Sequence, residues 1–356
     1  WSSDVCSSDL GESPRLWSRH VTAAGARISP SAAGTTGRSI ALGTYVGLFA
    51  ITMTTLMYEI VLTRIFSVTM WYHFAFVAIS VALFGMTVGA LILHQFGSVI
   101  RRGDPNRVLA WWSLAFALSI PPCFLTQLAI PVSPHLTAVG IWSLVATCLV
   151  ISIPFVLSGV IVALVLTGFP HRVNRMYATD LVGAALGCVA VVATLQLVDG
   201  PSAVLVVSGL AAVGAFAFAV AGRVRPVQVI GALAAVLLVG LGVLNSMAVR
   251  DGGGALRILW AKEARDQKSL VERWNAFSRV GVYPAPDGQT PESITIDTTA
   301  GTRLVPNTPE WANTLRGGIQ YLAHGVTKNG DVLVIGSGGG QDVRAALVFG
   351  AKKVDR

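Results

Sequence analysis

The residues best suited to chemistry lie near the end of the chain. Gly336-Ser337-Gly338-Gly339-Gly340 stands between an apolar run (332–335) and a segment (341–349) with helical spacing of apolar residues. A strand that ends in glycines lets backbone come close to a ligand. A helix that follows at once offers unpaired N–H groups at its positive end. This combination binds nucleotides or nucleosides. The dinucleotide pattern GxGxxG needs a third glycine where Gln341 stands, which weakens an NAD reading. No Gly-Lys-Ser or Gly-Lys-Thr follows, which excludes a phosphate-binding P-loop. The bland alternative is a glycine turn in an α/β domain that holds no ligand.

A second group of chemically capable residues lies inside apolar sequence. Glu59 and Arg64 occur in "LMYEIVLTRIF" and Asp180 in "RMYATDLVGAALG". An acid at membrane depth costs about 2.5–3.5 kcal/mol on insertion scales, so it normally faces a partner or a cavity. One reading is a polar or proton-linked site between the first and fifth apolar segments. The other is structural pairing at the interface, with Arg64 or Arg175 as partners. The four cysteines offer less. Cys123, Cys148 and Cys188 lie in apolar runs, Cys6 lies in the leader, and no CxxC spacing occurs. They read as structural thiols, and no metal site is expected.

The elements that must position these groups fall into two parts. The chain is 53% hydrophobic and only 12% charged, with mean hydropathy +0.65, whereas a soluble domain carries about 25% charge. Seven apolar stretches, near 39–62, 70–97, 107–130, 138–169, 178–198, 201–221 and 226–248, meet the roughly 20 residues needed to cross a bilayer. Pro154 predicts a kink or tilt in the fourth. Trp71, Tyr72, Trp111, Trp112 and Trp142 stand near segment ends, as interfacial aromatics do. "GMTVG" (Gly85, Gly89) and "GAALG" (Gly183, Gly187) each set two glycines on one helix face, which permits close packing. The fold class expected is a membrane helical bundle over 39–249, a linker and small β region over 250–310, and the start of an α/β Rossmann-like domain over 311–356. Residues 1–38 read as a flexible tail, with the first ten, "WSSDVCSSDL", as a cloning or gene-prediction remnant.

The net charge of +8 does not indicate nucleic acid. The basic excess is arginine in short loops: Arg101, Arg102 and Arg107, then Arg172 and Arg175, then Arg223 and Arg225. Loop arginine marks the cytoplasmic side. Seven crossings would then put the C-terminal part on the opposite side, in conflict with a nucleoside ligand. The ligand chemistry is given the greater weight, so a cytoplasmic C-terminal domain is expected.

After residue 250 the composition becomes ordinary. "SRVGVYPA" and "ESITIDTTAGTRLV" alternate as strands about the turn "PDGQTP", and "PEWANTLRGGIQYLAHGV" reads as helical. The loop spacing Gly336-x-Gly338-x-Gly340 fits the GxGxG of class I S-adenosylmethionine-type folds. With "YEIVLTRIFSVTMWYHFAFVAISVALFGMTVGA", "YATDLVGAALG", "WNAFSRVGVY", "ITIDTTAGT" and "VLVIGSGGGQDVRAAL", the chain over about 40–356 resembles multi-spanning bacterial proteins with a C-terminal spermidine synthase-like domain. The resemblance implies an inner-membrane protein that binds S-adenosylmethionine or its decarboxylated form. It implies transfer of an aminopropyl or methyl group to a small acceptor such as an amine. It also implies ligand contacts from Gly336, Ser337, Gly338, Gly339, Gly340 and Asp342, with His324 on the acceptor side. The sequence departs from the soluble enzymes in reading GSGGGQD for GGGxGG, in placing Gly318 and Ile319 where a Tyr-His pair falls, and in ending its hairpin Ile296-Asp297-Thr298 for Leu-Asp-Gly. The family's ribose-binding acid ends the second strand, and Asp355 comes too early for it. The expectation is a fragment whose catalytic half lies beyond Arg356. A reading from another class is a transporter or ligand sensor in which Glu59 and Asp180 do the work and the glycine-loop domain regulates.

Overall fold

A computed structural model describes residues 41–131, 137–250, 253–262, 264–286, 291–304, 309–318, 322, 324 and 330–356. The expected N-terminal tail lies outside the described residues. Seven long helices follow one another: α1 (Leu42–Thr69), α2 (Ala75–Ile100), α3 (Pro105–Ala129), α4 (Ala138–Gly168), α5 (Val173–Leu197), α6 (Gly200–Ala221) and α7 (Arg225–Arg250). All seven are long and apolar enough to cross a membrane. Polar caps set several of their starts. The Asp104 side chain accepts the Asn106 amide at 2.9 Å, Thr137 accepts the Gly140 amide at 3.1 Å, and Asp199 accepts the Ser202 amide at 3.1 Å. Each satisfies an N–H that the first helical turn leaves unpaired.

α1 and α6 form the interior of the bundle. α1 packs on α5 and α6, α3 bridges α4 and α6, and α7 lies along α6. The glycine pairs make the closest approaches. A methyl group added at Gly187 would lie 2.6 Å from the Met53 carbonyl oxygen, and one at Gly85 would lie 2.7 Å from Phe155 Cβ. Gly89 meets the Val156 carbonyl at still shorter range. Van der Waals packing of small residues drives helix association in lipid, and these contacts are its expression here. α4 runs through Pro154 as one helix. The non-helical residue inside a spanning helix is instead Phe96 of α2.

Beyond α7 a two-stranded ribbon, β1 (Trp260–Ala261) and β2 (Ala264–Arg265), precedes an antiparallel meander. The meander comprises β3 (Val271–Trp274), β4 (Arg279–Pro284), β5 (Pro291–Ile296) and β6 (Ala300–Arg303). Alternation puts Arg279, Gly281 and Tyr283 of β4 inward. A helix, α8 (Pro309–Gly317), leads to strand β7 (Asp331–Leu333), helix α9 (Gln341–Val348) and strand β8 (Lys353–Asp355). β7 and β8 pair in parallel, with Asp331 opposite Lys353 and Leu333 opposite Asp355. α8 packs on α9 through Leu315, Ala345, Trp311, Val348 and Phe349. A β–α–β unit is thus present. The wider doubly wound sheet of a Rossmann-like domain is not seen among the described residues, and Leu333, Ile335 and Leu347 stay exposed.

The meander is seated on the bundle at the end carrying the α1–α2 and α5–α6 connections. The Lys262 amide donates to Thr69 O at 2.7 Å, Arg64 donates to Phe277 O, and Thr298 Oγ1 donates to Val68 O at 3.5 Å. On the other side of this end, Gly200 admits the Trp274 ring against its Cα. The arginine-bearing loops all lie at the opposite end.

Candidate functional site

The glycine corner forms as its sequence requires. Gly336 (φ +74°), Gly338 (φ +50°) and Gly340 (φ +82°) all adopt the left-handed region that glycine enters without steric cost. The Gly340 amide donates to Ser337 O at 2.8 Å, and the Arg344 amide donates to Gly340 O at 3.0 Å. Gly340 therefore ends a tight turn and caps α9 at once. Asp342 lies exposed in the first helical turn.

The glycines divide into two roles. A methyl group at Gly338 would meet Thr302 Cγ2 at 3.3 Å, and one at Gly339 would meet Arg303 O at 2.7 Å. These two face β6, so the meander packs directly on the corner. Gly336 and Gly340 have nothing within 4 Å of such a methyl group. They form the open face, where a ligand can approach backbone and the α9 amides.

His324 and Asp355 both lie away from this corner. The His324 ring stacks on Phe349 with centroids 6.0 Å apart. Phe349 follows the last turn of α9, about 12 Å from its start at a rise of about 1.5 Å per residue. His324 packs at the far end of that helix. Asp355 lies opposite Leu333, roughly 10 Å short of Gly336 at about 3.3 Å per strand residue. Its carboxylate is held by Lys353 Nζ at 2.8 Å.

The intramembrane acids are separate as well. Gly183 meets Phe49 and Thr52, and Gly187 meets Met53. This register sets Asp180 level with about residue 46 of α1, and so about 20 Å along the axis from Glu59. Among the described residues neither carboxylate has a hydrogen bond or ion pair. Arg64 turns outward to Phe277 O and does not pair with Glu59.

The structure assembles one charged cluster that the sequence did not reveal. Arg279 Nη2 donates to Asp266 at 2.6 Å and to Glu272 at 2.7 Å, with all three side chains nearly buried. Trp274 Nε1 donates to the other oxygen of Glu272 at 2.6 Å. Burial alone would lower the Arg279 pKa, but the hydrogen bonds and charges of Asp266 and Glu272 outweigh it and hold the guanidinium above its ordinary range. Asp199, at the adjoining helix start, is pushed up to about 6 by burial, with the Ser202 hydrogen bond opposing and Glu272 reinforcing. Lys262 is lowered by its burial, against the pull of Asp297. Its Nζ donates to Asp297 O at 2.5 Å and lies 5.8 Å from the Trp71 ring centroid. These residues tie the meander to the bundle. They hold no group of three or more acid, His or Cys side chains placed for a metal among the described residues.

Comparison of the chain with protein-family models, curated proteins and solved structures gives no significant match. Function is therefore read from the glycine corner and its setting.

Proposed function

We propose that this chain is a membrane-anchored spermidine synthase-like protein of a bacterial inner membrane, whose glycine corner binds an S-adenosyl-type nucleoside for aminopropyl or methyl transfer. The observation that carries the reading is the open Gly336/Gly340 face between a parallel strand and a helix start. The donor would be S-adenosylmethionine or its decarboxylated form. Attack on a carbon beside a sulfonium requires an acceptor amine without its proton, hence a nearby carboxylate base. Transfer breaks the carbon–sulfur bond, leaves a neutral thioether and releases the acceptor's proton to that base. The base is not assigned among the described residues, so the corner supports donor binding and the transfer step rests on the resemblance. The transporter or sensor reading gains nothing from Glu59 and Asp180 acting together, because the register of α1 and α5 sets them at different depths.

Gly340→Asn is the discriminating variant. Asn tolerates the left-handed region, and nothing in the protein lies within 4 Å of the added Cβ, so the fold is kept while the ligand face is filled. Calorimetry on the full-length protein with S-adenosylmethionine and with the decarboxylated form should show binding that Gly340→Asn loses. Equal affinity in both proteins would defeat the reading. The proposal also needs the C-terminal modules on the cytoplasmic side. The arginine loops point the other way, because α7 is a full span and no further span follows among the described residues. A phosphatase fused after residue 304 decides the matter, since activity there would place the corner outside and remove the nucleoside reading.

A further inference from the structure

The arginine end of the bundle carries a second feature. Arg101, Arg102 and Arg107, with Arg172, Arg175, Arg223 and Arg225, lie in or beside its three connections, and the acid in those connections, Asp104, is engaged as the α3 cap. Among the described residues none of these arginines forms an ion pair. At the α4–α5 connection, Pro170, His171, Arg172, Asn174 and Arg175 line an open concavity of about 550 Å³. Arg101 from the α2 end donates to Thr167 Oγ1 at 3.3 Å beside it. Directly below, Val173, Tyr177 and Leu181 of α5 recur every four residues, and all three are exposed. Positions four apart form one continuous stripe on a helix. A cationic bowl over an exposed apolar stripe matches an amphiphile with an anionic head and a hydrocarbon tail. We infer that the α4–α5 connection binds the headgroup of an anionic phospholipid, with an acyl chain laid along Val173, Tyr177 and Leu181. A free phosphate ion would use the bowl alone, whereas a lipid would also lay its chain along the lipid-facing residues Val173, Tyr177 and Leu181, so the lipid is the occupant argued for. The inference does not depend on the glycine corner or on which side that corner faces.

The test uses the full chain in mixed detergent micelles containing phosphatidylglycerol and phosphatidylcholine, read by native mass spectrometry. Phosphatidylglycerol should remain bound in preference to phosphatidylcholine. An Arg172→Gln/Arg175→Gln variant should retain about thirtyfold less of it, since each basic group at an anionic surface contributes roughly fivefold. Arg223→Gln/Arg225→Gln, at a different connection, should retain it as the wild type does and controls for general loss of charge. Tyr177→Ser should weaken retention without changing charge, a result that an ion-only site would not give. Equal retention of both lipids by the wild type, undiminished retention in Arg172→Gln/Arg175→Gln, or full displacement by millimolar inorganic phosphate would each overturn the inference.

Discussion

Replacing Arg279 with Met should unseat the meander from the bundle. The guanidinium is 4% exposed, and its two partners are 7% and 11% exposed. Loss of the cation would strand two carboxylates in a site nearly closed to water. Breaking a buried pair by removing one partner costs about 3–5 kcal/mol, against about 0–1 kcal/mol for an exposed pair. The upper range applies here because one nitrogen serves both acids. That same geometry predicts an unusual tolerance. Nη2 acts as a point donor, and Nε and Nη1 have no partner among the described residues. An ammonium on a flexible stem can copy a point donor but not a planar fork. Arg279→Lys should therefore keep most of the stability that Arg279→Met loses. Neutralising both acids in the Met background (Asp266→Asn, Glu272→Gln) should recover part of it. Thermal unfolding of the detergent-solubilised chain, followed by tryptophan emission, would report all four proteins, because Trp274 is bonded to Glu272. An Arg279→Met protein within about 1 kcal/mol of wild type, on the scale of exposed pairs, would refute the reasoning.

Three further variants probe other contacts of the fold. Asp199 has a folded pKa near 6, above its ordinary 3.8, so burial of its charge destabilises the fold above about pH 6, and that penalty fades as pH falls from about 6 toward 4. Asp199→Asn, which keeps a capping side chain, should therefore raise stability at pH 8 by up to about 3 kcal/mol and flatten the pH dependence seen by thermal melts. Thr298 sits at φ +63° in the β5–β6 turn, where a β-branched residue is strained, so Thr298→Asn, which tolerates that region and keeps a polar side chain, should stabilise by up to about 1 kcal/mol in denaturant titrations. Gly187→Leu should separate α1 from α5, because the side chain would enter the Met53 backbone. Detergent-solubilised yield and melting temperature should both fall, and an unchanged melt would mean the two helices are not held by this contact.

The spans were legible because each is a long apolar run, and the ends moved where polarity misled. The first segment is expected to stop near 62, yet α1 continues to Thr69, past Arg64, whose side chain reaches Phe277 O. Asp104 and Asp199 shifted the starts of α3 and α6 outward, since a capping acid belongs just before the helix it caps. The strands over 279–284 and 291–303 were legible from alternation. Gly336, Gly338 and Gly340 were legible because their spacing leaves few other backbone paths. The Arg279 cluster was not legible. Glu272 and Arg279 become neighbours only through the register Trp274↔Arg279 and Glu272↔Gly281, and Asp266 reaches them from the segment after β2, which no local pattern encodes. His324 matched a family position by type, and its stacking on Phe349 could not be read from the local sequence.

The seating of the meander on α1 also bears on how the chain is made. Arg64 and Phe277 are 213 residues apart, and Val68 and Thr298 are 230 apart. At roughly 5–20 residues per second of synthesis, the end of the first helix waits about 10–40 s for the residues that fasten it. During that interval α1 can hold its place only through α2 and the other helices as they enter the bilayer. The Gly183 and Gly187 contacts supply no hold until α5 arrives. Maturation should therefore end in a late, single locking step, with the first helix protease-accessible at its exit until the meander is complete.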